Sequence, residues 1–382
     1  MLNAWVTRHL TTAREEFQRK PTVSDRAIYI PLPVSLDGQV IPHLTVEHLR
    51  PSFNKGRACL LIQGEGGAGK TSLACQVARW AMADMPSERL CAQHRMLPLL
   101  IEQALEIKDK EHTHPFIDAL RGELRALTFE EDPIPEEFLL QLLQRRRVLV
   151  IVDHFSEMPE ATRQEIRPGQ PEFPANALVV TSRLEERLAG VQPTTVKPLR
   201  IQGQWQGLVS FLEDYLTQRG KRDRFDGPEF FDYCRRLSQM VGTRDITVLL
   251  AKLYAEQMIA AKEGRIDSDL PETIPDLMLS YVNEVNRGVE SHKQDDRLVH
   301  RVVKAIAWEC LKRTYHPTSA PRQAVLAALV EEQDAEAMLT YLENRLRLIQ
   351  TWGRDETTSA SCLIHWLNTW PAYTCWISMV TT

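Results

Sequence analysis

The chain has 382 residues, of which 43% are hydrophobic and 25% charged, and its formal net charge is −5. That length accommodates two or three domains with cores of their own, and the acidic balance gives no electrostatic reason to expect nucleic acid as the main partner. No apolar run approaches the ~20 residues that a membrane span needs, and Met1 to Lys20 mixes apolar positions with Arg, Glu and Lys, unlike a secretory signal, so a cytoplasmic protein without membrane contact is expected.

Residues 1–20 read as one amphipathic helix, with Trp5, Val6, Leu10 and Phe17 near helical spacing. Pro21 stops it. Residues 27–34 (AIYIPLPV) form an extended segment, because each proline excludes helix from the residue before it, and a turn at Asp37-Gly38 follows. From about residue 56 strands and helices alternate. Residues 58–62 (ACLLI) are a first apolar strand, leading into a glycine-rich loop and then a helix from Thr71 to Met85. Further strands are expected at 96–101, 148–152, 177–180 and, more weakly, 195–199. Continuous apolar runs of this kind suit strands buried on both faces, hence a parallel sheet. Beyond about residue 205 the strand signal gives way to helical patterns at 246–261, 274–285 and 298–313. After Pro317 and Pro321 the helical pattern resumes from about 323 to 348. The segments expected are 1–45, a helix and extended linker; 46–205, the α/β domain; 206–290, a helical domain; 291–350, a further compact module; and 351–382, an irregular tail.

Gly64-Glu65-Gly66-Gly67-Ala68-Gly69-Lys70-Thr71 follows an apolar strand and opens a helix, the context a phosphate-binding loop requires. Glycines let backbone N–H groups turn inward around phosphate oxygens where side chains would block approach. Lys70 adds a charge toward the β- and γ-phosphates, and the Thr71 hydroxyl, beside Ser72, is placed to ligate Mg²⁺. The helix directs its positive end at the same anion. A bare glycine turn would not need the lysine. ATP and Mg²⁺ are therefore the expected ligands.

Such a loop needs a strand-end acid for the metal's water shell. Asp153, directly after residues 148–152, is that candidate; alone it would read as a turn residue. Glu157, four positions on, is a candidate to orient the attacking water or accept its proton, against the plainer reading of a solvated loop residue. Arg183 ends the strand VVTSR (179–183) and is a candidate sensor of the γ-phosphate, against a plain surface arginine.

Other signals carry less. Arg145-Arg146-Arg147 at a helix end serves the dipole or solvent more readily than nucleic acid. Glu111-His112-Thr113-His114 lacks the i,i+4 spacing of a helical metal pair, and Tyr29 and Trp80 read as core aromatics. The seven cysteines (Cys59, Cys75, Cys91, Cys234, Cys310, Cys362, Cys375) include no C-x-x-C pair and no zinc-like spacing, so free buried thiols are expected.

The ordered set GEGGAGKTS (64–72), VLVIVDHFSE (148–157) and VVTSR (179–183) resembles the NACHT family of STAND regulatory NTPases. Residues 29–32 (YIPL), the helical stretch after 205 and LMLSYVNEVNR (277–287) resemble its bacterial members, over roughly residues 25–350. The resemblance implies an α/β P-loop NTPase with a parallel sheet, followed by helical and winged-helix-like modules. It further implies a switch that closes over ADP, opens with ATP to form a homo-oligomer, and hydrolyses ATP slowly. Two departures stand out. His154 and Ser156 replace the small residue and the further acid usual after the first Asp, with Glu157 retained; and Thr247 stands where a proline is common. A AAA+-type remodelling ATPase and a winged-helix DNA-binding regulator are the alternatives.

The composition breaks near residue 353: four of the eight tryptophans (Trp352, Trp366, Trp370, Trp376) and two of the seven cysteines lie in 351–382. Combining the last base of each codon with the first two of the next, the codons for 363–371 permit Asp-Pro-Leu-Ala-Glu-Tyr-Leu-Ala. That string resembles the helix following the winged helix in related bacterial proteins. The tail is accordingly expected to be a frame-shifted remnant.

Overall fold

The computed structural model describes residues 1–107, 114–186, 188, 190–201, 205–242, 246–265, 270–289, 291–313, 320–330, 334–346, 348–352 and 361–364. The chain divides into two compact units, one comprising Met1–Glu65 and Gly69–Leu199, the other Gly66–Ala68 and Arg200–Thr382.

The first unit opens with α1 (Leu2–Arg19), whose stripe Val6, Leu10, Ala13 and Phe17 is buried. These side chains belong to the same core as the sheet. The N-terminal segment expected as helix plus linker is thus built into the unit. The reason is the apolar face itself, which must be covered. After α2 (Pro21–Ser24) come β1 (Val34–Leu36) and β2 (Gln39–Ile41). They are antiparallel, with Val34 opposite Ile41 and Leu36 opposite Gln39. The turn between them is Asp37-Gly38, both at positive φ (48° and 87°), the backbone of a two-residue hairpin whose twist matches its strands.

The remaining elements of this unit are α3 (Val46–Phe53), β3 (Ala58–Gln63), α4 (Lys70–Met82), β4 (Leu97–Ile101), α5 (Pro115–Thr128), α6 (Glu136–Gln144), β5 (Val148–Val152), α7 (Glu160–Glu165), β6 (Ala177–Ser182) and β7 (Thr194–Pro198). Seven strands form one sheet in the order β2-β1-β7-β3-β6-β5-β4. The five from β7 to β4 are parallel, and β1 joins β7 antiparallel. Every residue of β4, β5 and β6 is buried, including the polar Thr181 and Ser182 that end β6. The strand β6 lies between β3 and β5, so three carboxyl-terminal strand ends carrying chemistry stand side by side.

The second unit is helical first: α8 (Trp205–Gln218), α9 (Gly227–Val241), α10 (Val248–Lys262) and α11 (Ile274–Arg287). Thr247 caps α10, its hydroxyl accepting the Leu250 N–H at 3.3 Å, and the Leu249 N–H donates to the Gly67 carbonyl. Then follow α12 (Asp296–Leu311), β8 (Ala320–Pro321), α13 (Arg322–Ala328), α14 (Ala335–Asn344), β9 (Ile349–Trp352) and β10 (Ser361–Ile364). The last three strands make an antiparallel sheet ordered β8-β10-β9. The helical run expected from 323 to 348 is two helices, because Asp334 starts a new one by accepting the Ala337 N–H at 2.9 Å.

Of residues 351–382 only 351–352 and 361–364 are described, both as strand. The frame-shift reading of the rest, the Glu111–Thr113 part of the discounted histidine motif and Arg244-Asp245 lie outside the described residues.

Candidate functional site

The site is assembled where β3, β6 and β5 end. At the start of the loop the Gly64 N–H donates to the Ser182 carbonyl at 3.1 Å, tying it to the end of β6. Gly67 and Gly69 hold φ of 71° and 92°, a region closed to most side chains, so glycine is needed there to reverse the chain into α4. Lys70 and Thr71 form the first turn of α4, where amides without helical partners and the helix dipole both favour an anion. Ser72 is half-buried beside them, Gly66 and Ala68 are buried, and Glu65 is exposed on the rim.

Lys70 is nearly buried, and its Nζ donates to the Glu65 carbonyl at 2.8 Å. Burial, reinforced by the charge of Arg183, lowers its pKa to about 8 against the opposing pull of Asp153 and Glu157. An anion placed in the loop would offset both depressing causes.

Asp153 is fully buried. Its N–H donates to the Ile101 carbonyl at 2.9 Å. Its Oδ1 accepts from the Thr71 hydroxyl at 3.1 Å and from the Thr181 hydroxyl. Its Oδ2 lies 3.1 Å from Nδ1 of His154. Burial alone would raise this carboxyl's pKa, but the His154 charge and the bonds from His154 and Thr181 hold it well below the usual carboxylate range. The same pairing raises His154, whose burial works in the other direction. Thr181 is the hub: its hydroxyl also accepts the His154 N–H at 2.9 Å, which steadies His154 in its left-handed conformation.

Arg183 and Glu157 meet directly, Nε to Oε1 at 2.6 Å. The Arg183 N–H donates to the Ser156 hydroxyl at 3.0 Å, so the turn Phe155–Glu157 and the end of β6 are fastened twice. Burial lowers the Arg183 pKa, and Glu157 works against that shift. The second oxygen of Glu157 is buried without a hydrogen-bond partner.

Gly64, Glu65, Gly69, Lys70, Thr71, Ser72, Asp153, Glu157 and Arg183, read separately from the sequence, are therefore gathered at one edge of the sheet. The donors fit Mg²⁺. The hydroxyl of Thr71 is a hard ligand, and a carboxylate oxygen of Asp153 lies 3.1 Å from it, close enough to hold a water in the same metal shell. Among the described residues no group of three His, Cys, Asp or Glu could hold a metal alone. A cation here would depend on phosphate and water for the rest of its shell, as Mg²⁺ commonly does.

Thr181 was not singled out in the sequence, although the polar end of VVTSR pointed to it, and His154 stood out only as a departure from the family's pattern. The discounted signals fall as structural. Arg146 binds the Phe53 and Lys55 carbonyls, and Tyr29 and Trp80 pack on the core. Cys59, Cys75, Cys91, Cys234 and Cys310 are buried and form no disulfide. Among the described residues no helix is long and apolar enough to cross a membrane.

No family model matches the chain, and no curated protein does. Solved structures overlap it loosely. A STAND protein with a tetratricopeptide repeat sensor from Pyrococcus horikoshii is 13% identical at a TM-score of 0.37, covering 85% of this chain and 40% of its own. The chain thus spans well under half of that protein. Thermotoga maritima RuvB is 15% identical at 0.34, covering 84% and 88%. A chain of Drosophila ORC bound to DNA is 15% identical at 0.22, covering 98% and 91%. Overlaps this loose carry no functional weight. The fold is α/β, with a mostly parallel seven-stranded sheet and a glycine-rich loop between β3 and α4.

Proposed function

We propose that the chain binds ATP with Mg²⁺ and works as a NACHT/STAND-type regulatory switch that hydrolyses ATP slowly. The observation that carries this reading is the Arg183–Glu157 ion pair at 2.6 Å. A γ-phosphate beside Lys70 would compete for the Arg183 guanidinium, and only a Glu157 released from it could orient the attacking water. Sensing and chemistry are thus coupled through one pair, which must be broken before either role is filled, an arrangement suited to slow turnover and to discrimination between ATP and ADP. Bound Mg²⁺ would supply charge neutralisation between the phosphates. Thr71 would ligate it, Asp153 would hold its water, and the loop amides of residues 64–72 would cradle the phosphates.

The order α12-β8-α13-α14-β9-β10 supports a winged-helix-like module, with α8 to α11 as the helical domain before it. Oligomerisation in the ATP form is part of the proposal, as is a cytoplasmic location, which the buried cysteines without disulfides favour. The deciding experiment purifies the chain, measures bound nucleotide after gel filtration, and follows single-turnover hydrolysis. Retained nucleotide with turnover far below the ~10 s⁻¹ common for enzymes supports the switch. Continuous partner-stimulated turnover would favour a remodelling ATPase, and a salt-dependent DNA shift a DNA-binding regulator.

A further inference from the structure

Four neighbouring strand ends face one edge of the sheet, and the site described above uses three. The fourth is the end of β4, where the next residue is Glu102. Ile101 pairs with Val152 in register, and the Asp153 N–H donates to the Ile101 carbonyl. Glu102 is therefore level with Asp153 across one strand spacing of ~4.8 Å, and residues level across adjacent strands share a face of the sheet. That face is the one on which Thr71 meets Asp153.

We propose that Glu102 is a second carboxylate for the hydrated divalent cation, holding a metal-bound water from the strand beside Asp153. This deepens the nucleotide-binding reading and rests on it. A carboxylate that binds a metal through water stands ~4 Å from the ion, the sum of a ~2.1 Å metal–water bond and a bent hydrogen bond. Two carboxylates one strand spacing apart can each stand that far from a single ion.

The residues around the site explain why this chain would use a carboxylate from β4. The resemblance leads one to expect a further acid three positions after Asp153, and Ser156 stands there, its hydroxyl accepting the Arg183 N–H. Glu157 is paired with Arg183. Glu102 is half-buried and is oriented by the Thr22 side chain, which hydrogen-bonds to it from α2. The positive charge of Arg26 also acts on Asp153 and His154, so the N-terminal segment supplies both an anchor and a counter-charge here.

The test uses the full chain, with fluorescent mant-ATP as probe, titrating Mg²⁺ upward from an EDTA-buffered solution. Glu102→Gln keeps an acceptor for Thr22 and removes only the charge. It is expected to raise the Mg²⁺ concentration for half-maximal binding roughly tenfold, as losses around metal ligands commonly do, while mant-ATP affinity in EDTA and the melting temperature stay at parental values. Thr22→Val, which spares the carboxylate and loses its anchor, should shift half-saturation in the same direction by less, and decides the matter if the first variant does not fold. Parental Mg²⁺ half-saturation in the variants, or an equal loss of affinity with and without Mg²⁺, overturns the proposal. Failure of the underlying reading looks different: parent protein that does not bind mant-ATP, or Lys70→Ala that binds it as the parent does.

Discussion

The guanidinium Nε of Arg183 lies 2.6 Å from Oε1 of Glu157, joining the end of β6 to the turn after β5. In the proposed switch a terminal phosphate would enter beside this pair, so its exchange energy would set how well ATP is told from ADP. Charge-assisted hydrogen bonds are worth about 1.5–3 kcal/mol. Arg183→Ala should therefore reduce the preference for ATP over ADP roughly tenfold or more, with ADP affinity little changed. Competition binding with both nucleotides measures it. An undiminished preference would remove Arg183 from the sensor role.

Glu157→Gln and Asp153→Ala should separate turnover from metal binding. Glutamine at 157 can still bond Arg183 through its amide oxygen but cannot accept a proton. ATP affinity should persist while single-turnover hydrolysis falls by about 10²–10⁴-fold. Asp153→Ala deletes the oxygen that meets Thr71 at 3.1 Å, and its main effect should be a weaker Mg²⁺ dependence of binding. Parental hydrolysis by Glu157→Gln would show that another group handles the water.

His94 predicts an acid sensitivity remote from the nucleotide loop. It is buried, with Nε2 2.7 Å from the Arg146 carbonyl and Nδ1 3.4 Å from the Cys91 sulfur. That network assigns the proton to Nε2. Burial and the charges of Arg147 and Arg146 lower its pKa to about 4. Because the folded value lies below the unfolded one, near 6.5, the stabilisation is full above pH 6.5 and drains away as pH falls toward 4. The loss on going from pH 7 to pH 5 should be about 2 kcal/mol. His94→Gln should be less stable at pH 7 yet show a flatter pH dependence in calorimetric melts; parallel profiles for the two proteins would refute the assignment.

What was legible in the sequence follows physical lines. Strands buried on both faces, such as Val148–Val152, are written as unbroken apolar runs, and the phosphate loop is written in glycines whose φ values no other residue adopts comfortably. Asp153, Glu157 and Arg183 could be offered as candidates because each follows such a strand or lies a few residues beyond it. The β1–β2 hairpin was missed, although its Asp37-Gly38 turn was seen. Its three-residue strands are too short to show alternation, and their pairing with β7 is set by residues about 160 positions away. Glu102 was missed for a related reason: a lone Glu after a strand carries no local signal, and only the β4–β5 register puts it beside Asp153. Likewise, the hub role of Thr181 depends on two strands distant in sequence being neighbours in the sheet.

Lys70 gives the sharpest test of the loop. Its ammonium is nearly buried and its pKa is lowered to about 8, first by burial and then by Arg183. Removing it should abolish the stabilisation that ATP·Mg²⁺ confers, roughly 2.7 kcal/mol at 100 times the dissociation constant, or roughly 5–10 °C in melting temperature for domains of this size. The pH dependence is a second, independent reading. Phosphate oxygens beside the ammonium favour its charged form, so binding raises its pKa from about 8. Between the two values the free protein is largely neutral at this site and the complex is protonated. Binding must then take up close to one proton, and affinity should fall as pH rises above about 8, by at most tenfold per pH unit. Below that pH Lys70 is charged in both states and its contribution is full. Calorimetric titrations at pH 9 in buffers of different ionisation enthalpy count the protons directly. Near-unit uptake by the parent is the expected result, whereas no uptake would show that Lys70 does not change its protonation on binding.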